Sequence, residues 1–254
     1  MNQQDEYRNE LIEGRNAVIE AIRAGRAIDK IYCAKGDTDN TLGFIASTAR
    51  KAGIVVVNCD KRKLDFMSVT KAHQGVIAVC SVKSYCSLED ILDLAKERNE
   101  DPFVVICDEI SDPHNMGAII RTAECAGAHG VIIPKRRSAG ATTIVDKSSA
   151  GAAEHMLIAR VPNITSAIKE LKDRGLWIYG AAPGGSSNMW QTDLTGPIAL
   201  VVGSEGNGIG RLVRDNCDFI VEIPMFGQID SLNASVAASI LMYEVVRQKN
   251  NKNK

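Results

Sequence analysis

The chain has 254 residues, of which 45% are hydrophobic and 24% charged, an ordinary composition for a globular protein with a buried core. Its formal net charge of −1 gives no overall field that attracts nucleic acid, so any RNA-binding surface must be local. No apolar run approaches the ~20 residues that cross a bilayer, and the polar start lacks the apolar core of a secretory signal. We therefore expect a cytoplasmic protein with no membrane partner.

The first region, residues 1–83, alternates helical and strand patterns, which predicts a small α/β domain. Helices are predicted at 14–24, 41–52 and 61–68, and strands at 30–34, 54–58 and 75–82. Residues 84–101 are polar and charged, with one short helical pattern at 88–98. We expect this segment to link the first domain to the next.

The second region, residues 102–254, contains six short apolar runs rich in β-branched residues, with helical patterns between or after them. The runs lie at 103–107, 130–133, 156–161, 176–180, 198–202 and 219–223, and the helices at 116–126, 163–174 and 231–249. Near-continuous apolarity suits parallel strands that are buried on both faces. We predict a mostly parallel α/β sheet whose ligand binds beyond the carboxyl ends of the strands.

Three loops follow predicted strands at that edge, at 108–115, 203–210 and 224–230. In the first, Asn115 either caps the following helix or faces the site. The glycines of the second permit either a tight turn or close approach of the backbone to a ligand, but they do not fit the GxGxxG dinucleotide fingerprint. After the third, Ser231 is a candidate helix N-cap. The polar trio Ser231, Asn233 and Ser235 calls for a ligand or an ordered side chain as partner.

The cysteines and histidines show no metal-binding pattern. The seven cysteines include no Cys-x-x-Cys pair, and the four histidines stand apart, so we predict reduced core thiols and no metal.

Basic residues cluster at Lys135, Arg136 and Arg137, and again in an early series. Each cluster suits either an RNA contact or a solvated face. The early series consists of Arg15, Arg23, Arg26 and Lys30.

The three loops carry motifs in a fixed order. They read Asn115-x-Gly117-x-x-x-Arg121, then Gly203-Ser-Glu205-Gly206-x-Gly208, then Ile223-Pro-Met225 followed by Ser231-Leu232-Asn233-x-Ser235-x-Ala237. In order and spacing they resemble the motifs of the SpoU (TrmH-like) family of RNA ribose 2′-O-methyltransferases, members of the SPOUT class. The resemblance implies a trefoil-knotted α/β domain near the C-terminus and a homodimer formed through the knot helices.

The resemblance extends along nearly the whole chain. The segments Gly14-Arg15-Asn16 and His73-Gln74-Gly75 are similar to the family's L30e-like RNA substrate domain. The segment Ile133-Pro134-Lys135-x-Arg137-Ser138-Ala139 resembles the subgroup that methylates a guanosine ribose in the peptidyl-transferase P loop of 23S rRNA. Ribosomal RNA is the partner that this subgroup implies.

The family's site residues carry over to matching positions here. S-adenosylmethionine is the implied methyl donor, with main-chain contacts from Gly203, Ile223 and Leu232. The implied catalytic residues are Asn115, Arg121, Glu205, Ser231 and Asn233. Family proposals make Arg121 the base, yet arginine holds its proton so tightly that it is a poor base. Either its surroundings change its charge, or Arg121 holds a phosphate or the developing alkoxide while the proton leaves by another route.

Other functions remain open at this point. The same fold methylates tRNA or antibiotic-target rRNA in other members of the class. A non-catalytic RNA-binding protein of ribosome assembly is a further alternative, which the intact motifs disfavour. A nucleotide-dependent oxidoreductase is disfavoured because the GxGxxG fingerprint is missing.

Overall fold

The computed structural model describes residues 11–35, 40–81, 84–185 and 187–252. The chain divides into two compact units. The first comprises Met1–Ser84 with Gly140–Ile144, and the second comprises Tyr85–Ala139 with Val145–Lys254. Each unit has its own β-sheet.

The first unit confirms the predicted α/β alternation. Its strands are β1 (Leu11–Glu13), β2 (Ile28–Ala34), β3 (Val55–Cys59) and β4 (Val76–Cys80), and its helices are α1 (Arg15–Arg23), α2 (Asn40–Lys51) and α3 (Lys61–Met67). The sheet order is β1-β4-β2-β3, with β2 and β3 parallel and the other pairs antiparallel. Strand β1 was not predicted because three residues are too few to show a period. Val82, at the end of the last predicted strand, lies outside the described residues.

The core of the first unit forms because apolar side chains from helices and strands meet on one face of this sheet. Val18 of α1, Ile31 of β2 and Ile45 of α2 have no solvent exposure and pack in one cluster. The two segments quoted for the family's substrate domain are neighbours here. The backbone N–H of Arg15 donates to Gln74 Oε1 at 3.1 Å, and its Nε donates to the Gln74 carbonyl oxygen at 3.0 Å.

The second unit contains the mostly parallel sheet that the apolar runs predict. Its strands are β5 (Phe103–Asp108), β6 (Gly130–Pro134), β7 (Ile158–Val161), β8 (Trp177–Ala181), β9 (Ser187–Asn188), β10 (Ile198–Gly203) and β11 (Phe219–Glu222). The strand order is β7-β6-β5-β10-β8-β11-β9, and neighbouring strands are parallel. All residues of β5 and β6 are buried, as expected of strands covered on both faces.

The remaining helices follow residue 84 in the chain, and several of them pack against this sheet. In chain order they are α4 (Leu88–Glu97), α5 (Pro113–Cys125), α6 (Thr143–Ser148), α7 (Ala152–His155), α8 (Ile164–Asp173), α9 (Arg211–Arg214) and α10 (Ala234–Lys252). No helix in the described part of the chain is long and apolar enough to span a bilayer. The trefoil knot and the L30e-like fold of the first unit stay predictions.

Of residues 84–101, predicted as a linker, all but Ser84 belong to the second unit. Ser87 and Asp90 form a capping box that starts α4, and Ile91 and Leu92 on its inner face join the core cluster of the sheet. The contact with β6 is close, since a Cβ added to Gly130 would lie 2.4 Å from Cδ1 of Ile91. The sequence reads as polar because only one face of this helix is apolar.

Candidate functional site

Three loops meet at the carboxyl edge of the second sheet, meaning the edge formed by the carboxyl ends of its parallel strands. Strands β5 and β10 are hydrogen-bonded neighbours, and Gly203 is in register with Asp108. The loops that follow these two strands are therefore adjacent. The loop after β11 leads to α10, which packs against α5. The topology thus brings together the loops in which the sequence places its motifs.

Three side chains from these loops form a network, which we call the Asn–Glu–Asn network: Asn115, Glu205 and Asn233. Oε1 of Glu205 accepts from Nδ2 of Asn115 and from Nδ2 of Asn233, each at 2.5 Å. Nδ2 of Asn233 also donates to Oδ1 of Asn115 at 3.0 Å. Hydrogen bonds to a carboxylate are among the strong ones, so this network ties α5, the loop after β10 and the start of α10 together.

The structure decides between the two interpretations of Asn115. The cap of α5 is Asp112, whose side chain accepts the N–H of His114 at 2.9 Å, and Pro113 occupies the first turn. Asn115 lies inside the helix and is only 7% exposed. A buried carboxamide needs partners, and here Glu205 and Asn233 supply them. Asn115 therefore faces the site.

Ser231 is not the helix cap that the sequence suggested. Helix α10 begins at Ala234, and Oδ1 of Asn233 accepts from the N–H of Ser235 at 3.0 Å and of Val236 at 3.3 Å. Asparagine is as good an N-cap as serine, and it stands directly before the first helical residue. Asn233 thus uses its oxygen to cap the helix and its nitrogen to hold the network. Of the polar trio, Ser235 donates its hydroxyl to the same Asn233 oxygen at 2.6 Å.

A cavity of about 670 Å³, the first cavity, opens beside this network. It lies over the carboxyl ends of β8, β10 and β11. Gly203, Ile223 and Leu232, the residues predicted to hold the cofactor, all line it, as do Glu205 and Ser231. The volume falls within the ~300–1,000 Å³ that is usual for small-molecule sites.

Gly203 has a structural reason to be glycine in addition to its place in the cavity wall. A Cβ added there would lie 2.1 Å from the carbonyl carbon of Gly208. The loop closes tightly because Ser204 and Gly208 exchange backbone hydrogen bonds of 3.1 and 2.8 Å. The sequence left two reasons for these glycines open, a tight turn and close approach of the backbone to a ligand. This loop is compatible with both, because it turns tightly and Gly203 also lines the cavity.

The charges around the first cavity are mostly negative. The carboxylates of Glu205, Glu222 and Asp230 line it together with one guanidinium, that of Arg214. Glu222 also accepts the N–H of Gly184 at 3.0 Å. Such a wall complements a ligand that carries a positive centre and exposes hydrogen-bonding groups.

Sequence reasoning missed Asp108, the last residue of β5. This carboxylate is buried, and its Oδ2 accepts the N–H of Gly210 at 2.8 Å, which ties β5 to the end of the loop after β10. Burial raises the pKa of Asp108 above its usual value. A charged residue that directly continues a fully apolar run was the available signal.

Arg121 lies apart from the network. It is exposed, and within the described ranges no hydrogen bond or ion pair reaches its side chain. Six residues of helix separate it from Asn115, which corresponds to about 9 Å along the axis and about 120° around it. The structure thus brings together the predicted Asn115, Glu205 and Asn233, places Gly203, Ile223, Ser231 and Leu232 in the adjoining wall, and leaves Arg121 on the surface.

Comparison with protein families gives two matches. The SpoU rRNA Methylase family matches residues 102–243, and the family described as RNA 2′-O ribose methyltransferase substrate binding matches residues 11–86. A Bacillus subtilis relative, YacO, named for the TrmH family of tRNA/rRNA methyltransferases, is 45% identical over 250 residues, covering 98% of each chain. A similarly named relative from Staphylococcus aureus is 44% identical over 239 residues, covering 94% of this chain and 96% of its own.

Solved structures agree with this. The SpoU methyltransferase AviRb from Streptomyces viridochromogenes, in complex with AdoMet, superposes with a TM-score of 0.58 at 25% identity, covering 98% of this chain and 94% of its own. The A. aeolicus TrmH/SpoU tRNA modifying enzyme gives 0.55 at 28% identity, covering 65% of this chain and 87% of its own. With its motifs at one sheet edge and both family domains matched, the chain belongs to the SpoU rRNA methylase family of RNA 2′-O-ribose methyltransferases.

Proposed function

We propose that this chain transfers a methyl group from S-adenosylmethionine to the 2′-hydroxyl of a guanosine in the peptidyl-transferase P loop of 23S rRNA. The observation that carries the proposal is the first cavity, bordered by the Asn–Glu–Asn network at the carboxyl edge. The AdoMet complex of AviRb, a member of the same family, supports the choice of donor.

The residues of the first cavity fit this donor. The backbone of Gly203, Ile223 and Leu232 would hold the neutral adenosine part. Glu205, Glu222 and Asp230 face the same space and complement a positive sulfonium. When bound, the donor supplies a methyl group on that positively charged sulfur.

The chain's own residues position the two reactants. The Asn–Glu–Asn network fixes the loop after β10 against α5 and α10, so the cavity wall is held before RNA arrives. The ribose hydroxyl must lose its proton as it attacks. A guanidinium is a poor base in general, so we assign Arg121 to hold the substrate phosphate or the developing alkoxide rather than to act as the base.

We also propose that the enzyme works as a homodimer formed through α10. Val236 and Tyr243, seven residues apart on this helix, are 45% and 51% exposed, which leaves an apolar stripe uncovered. Thr122, next to Arg121, contacts Ser239 of α10 through their hydroxyls at 3.0 Å. A partner docked on this stripe would lie close to Arg121, which would then complete the partner's site.

The proposal is tested by mapping 2′-O-methyl groups in rRNA from cells with and without this protein. Loss of one methyl group, in the P loop, with its return on complementation is the expected result. A lost methyl group in tRNA or elsewhere in rRNA would overturn the assigned nucleotide but keep the reaction. Calorimetry with S-adenosylmethionine tests the donor separately, and no detectable binding would overturn the proposal.

A further inference from the structure

A second cavity, of about 440 Å³, lies over the other half of the carboxyl edge. The first cavity covers the ends of β8, β10 and β11, whereas the second is lined by the residues that follow β5, β6 and β7. Strand order explains the division, because β7, β6 and β5 are one side of the sheet and β10, β8 and β11 are the other. Helix α9 separates them, with Arg211 lining the second cavity and Arg214 the first.

The second cavity differs from the first in charge. Arg136, Arg137 and Arg211 line it. Arg136 is exposed, and the side chain of Arg211 is 92% exposed and lies 3.7 Å from Asp215. Exposed pairs of this kind hold a side chain weakly, so these guanidinium groups are available to a ligand.

Two carboxylates face the same space, and both are engaged. Asp108 is buried and accepts the N–H of Gly210. Glu109 pairs with Arg137 at 3.0 Å. Both Glu109 and Arg137 have positive φ angles, of 59° and 56°, which non-glycine residues rarely adopt. The two turns after β5 and β6 are therefore held in unusual conformations, and both residues of the pair line the second cavity.

From this arrangement we infer that the second cavity binds a backbone phosphate of the RNA substrate, on a nucleotide that flanks the methylated one. Guanidinium groups match phosphate geometry, and a phosphate at this place would replace Glu109 as the partner of Arg137. The inference rests on the proposed function, since it takes RNA as the substrate. It adds a site for the RNA strand along the same edge, on the other side of α9 from the first cavity.

The test measures RNA binding by the full chain in variants of the second cavity. A fluorescein-labelled P-loop hairpin of 23S rRNA and a tRNA transcript are titrated at several salt concentrations. The variants are Arg211→Ala, Arg211→Lys and the triple change Arg136→Ala, Arg137→Ala, Arg211→Ala. The matched control is Arg98→Ala, which removes an exposed arginine next to the amino end of β5.

We expect each lost phosphate contact to lower the affinity for the hairpin by about three- to tenfold and to reduce the slope of log K against log salt by about one. Arg211→Lys should retain most of the slope, and Arg98→Ala all of it. Thermal unfolding and the affinity for S-adenosylhomocysteine should not change, which separates lost RNA contact from lost fold. Arg211→Ala serves alone if the triple variant does not fold.

A chemical variant of the RNA locates the phosphate. Hairpins with single neutral methylphosphonates should lose affinity for the wild-type chain at one position and show no further loss at that position with Arg211→Ala. Alanine variants of the second cavity that bind like Arg98→Ala, or a wild-type chain that binds neither RNA, would overturn the inference. Methyl transfer measured on the same preparations judges the proposed function separately, because arginine-dependent binding without transfer would refute only the latter.

Discussion

The two edges of the second sheet use polar residues in opposite ways. At the amino edge, His129 is 1% exposed, its Nδ1 accepts the N–H of Phe103 at 3.0 Å, and its Nε2 lies 3.1 Å from Glu100. At the carboxyl edge, the polar residues stand beside two cavities, and Arg136 and Arg211 are exposed in the wall of the second. Polar groups that are satisfied within the fold serve stability, whereas those left open at a cavity indicate a ligand.

Arg121 should give the largest effect, since it is the motif residue that the fold itself uses least: its side chain is exposed and has no partner within the described ranges. We expect Arg121→Ala to lower methyl transfer by at least about 100-fold, because a group that stabilises developing charge contributes that much. Binding of S-adenosylmethionine and the unfolding temperature should stay as in the wild type. Single-turnover transfer alongside calorimetry measures this, and near-normal transfer would remove Arg121 from the site.

Mixing two impaired variants tests whether Arg121 acts in its partner's site. If it does, Arg121→Ala and Asn233→Ala protomers that exchange freely form mixed dimers with one complete site. Statistical mixing then restores about a quarter of wild-type activity. If Arg121 acts within its own chain, the mixture shows only the average of the two variants' residual activities. Sedimentation confirms the dimer, and a monomeric wild type would contradict the proposed assembly.

Asn233 connects the two uses of polar groups, because it caps α10 and also holds the network. Asn233→Ala should lower turnover about tenfold or more and destabilise the fold by about 1 kcal/mol through the lost cap. Asn233→Ser keeps a capping oxygen but loses the amide that donates to Glu205. It should therefore recover the stability and not the turnover. Unchanged turnover in Asn233→Ala would exclude a role in the reaction.

Glu205 tests whether the first cavity recognises charge or shape. Glu205→Gln keeps an oxygen that can accept both asparagine amides but removes the negative charge. We expect the affinity for S-adenosylmethionine to fall about two- to fivefold, as for other exposed charge pairs, with no change for the neutral S-adenosylhomocysteine. Glu205→Ala, which breaks the network, should weaken both. Equal losses for the two ligands in Glu205→Gln would show that the charge has no role.

Much of the fold could be predicted because its signals are local. Continuous apolarity marked the strands at 103–107 and 198–202, and both were found as β5 and β10. Strand β9 was missed because Ser187 and Asn188 pair with β11 only through tertiary structure. The packing of residues 85–101 into the second unit was not predicted, since a polar average concealed the single apolar face of α4.

The site could be predicted less completely, because its geometry depends on distant residues. Family resemblance named Asn115, Glu205 and Asn233, but their bonds join positions 90 and 118 residues apart, which no local pattern encodes. Whether Asn115 caps α5 could have been decided from the sequence, because Asp112 followed by Pro113 is itself a helix-start pattern. The second cavity could not be predicted without the strand order, because Arg137 and Arg211 come together only at the sheet edge.

The smallest effect is expected at the amino edge, where His129 should alter pH-dependent stability and not catalysis. Burial lowers the pKa of His129, so the folded protein keeps the ring neutral. Below the ordinary histidine pKa of ~6.5 the unfolded chain takes up a proton that the folded chain refuses. The free energy of unfolding therefore falls with pH from there, by at most about 1.4 kcal/mol per pH unit, until the folded-state pKa is reached.

His129→Asn removes this titration while leaving an oxygen that can accept the N–H of Phe103. Urea unfolding between pH 7 and pH 5 should show a shallower loss of stability than in the wild type, with methyl transfer at pH 7 unchanged. Titration of Glu244 does not contribute to the difference between pH 7 and pH 5. Its pKa is lowered by hydrogen bonds from Arg247, so its contribution is lost only as pH falls below the ordinary glutamate range. An identical pH slope in both proteins would mean that His129 is not the buried neutral group this structure describes.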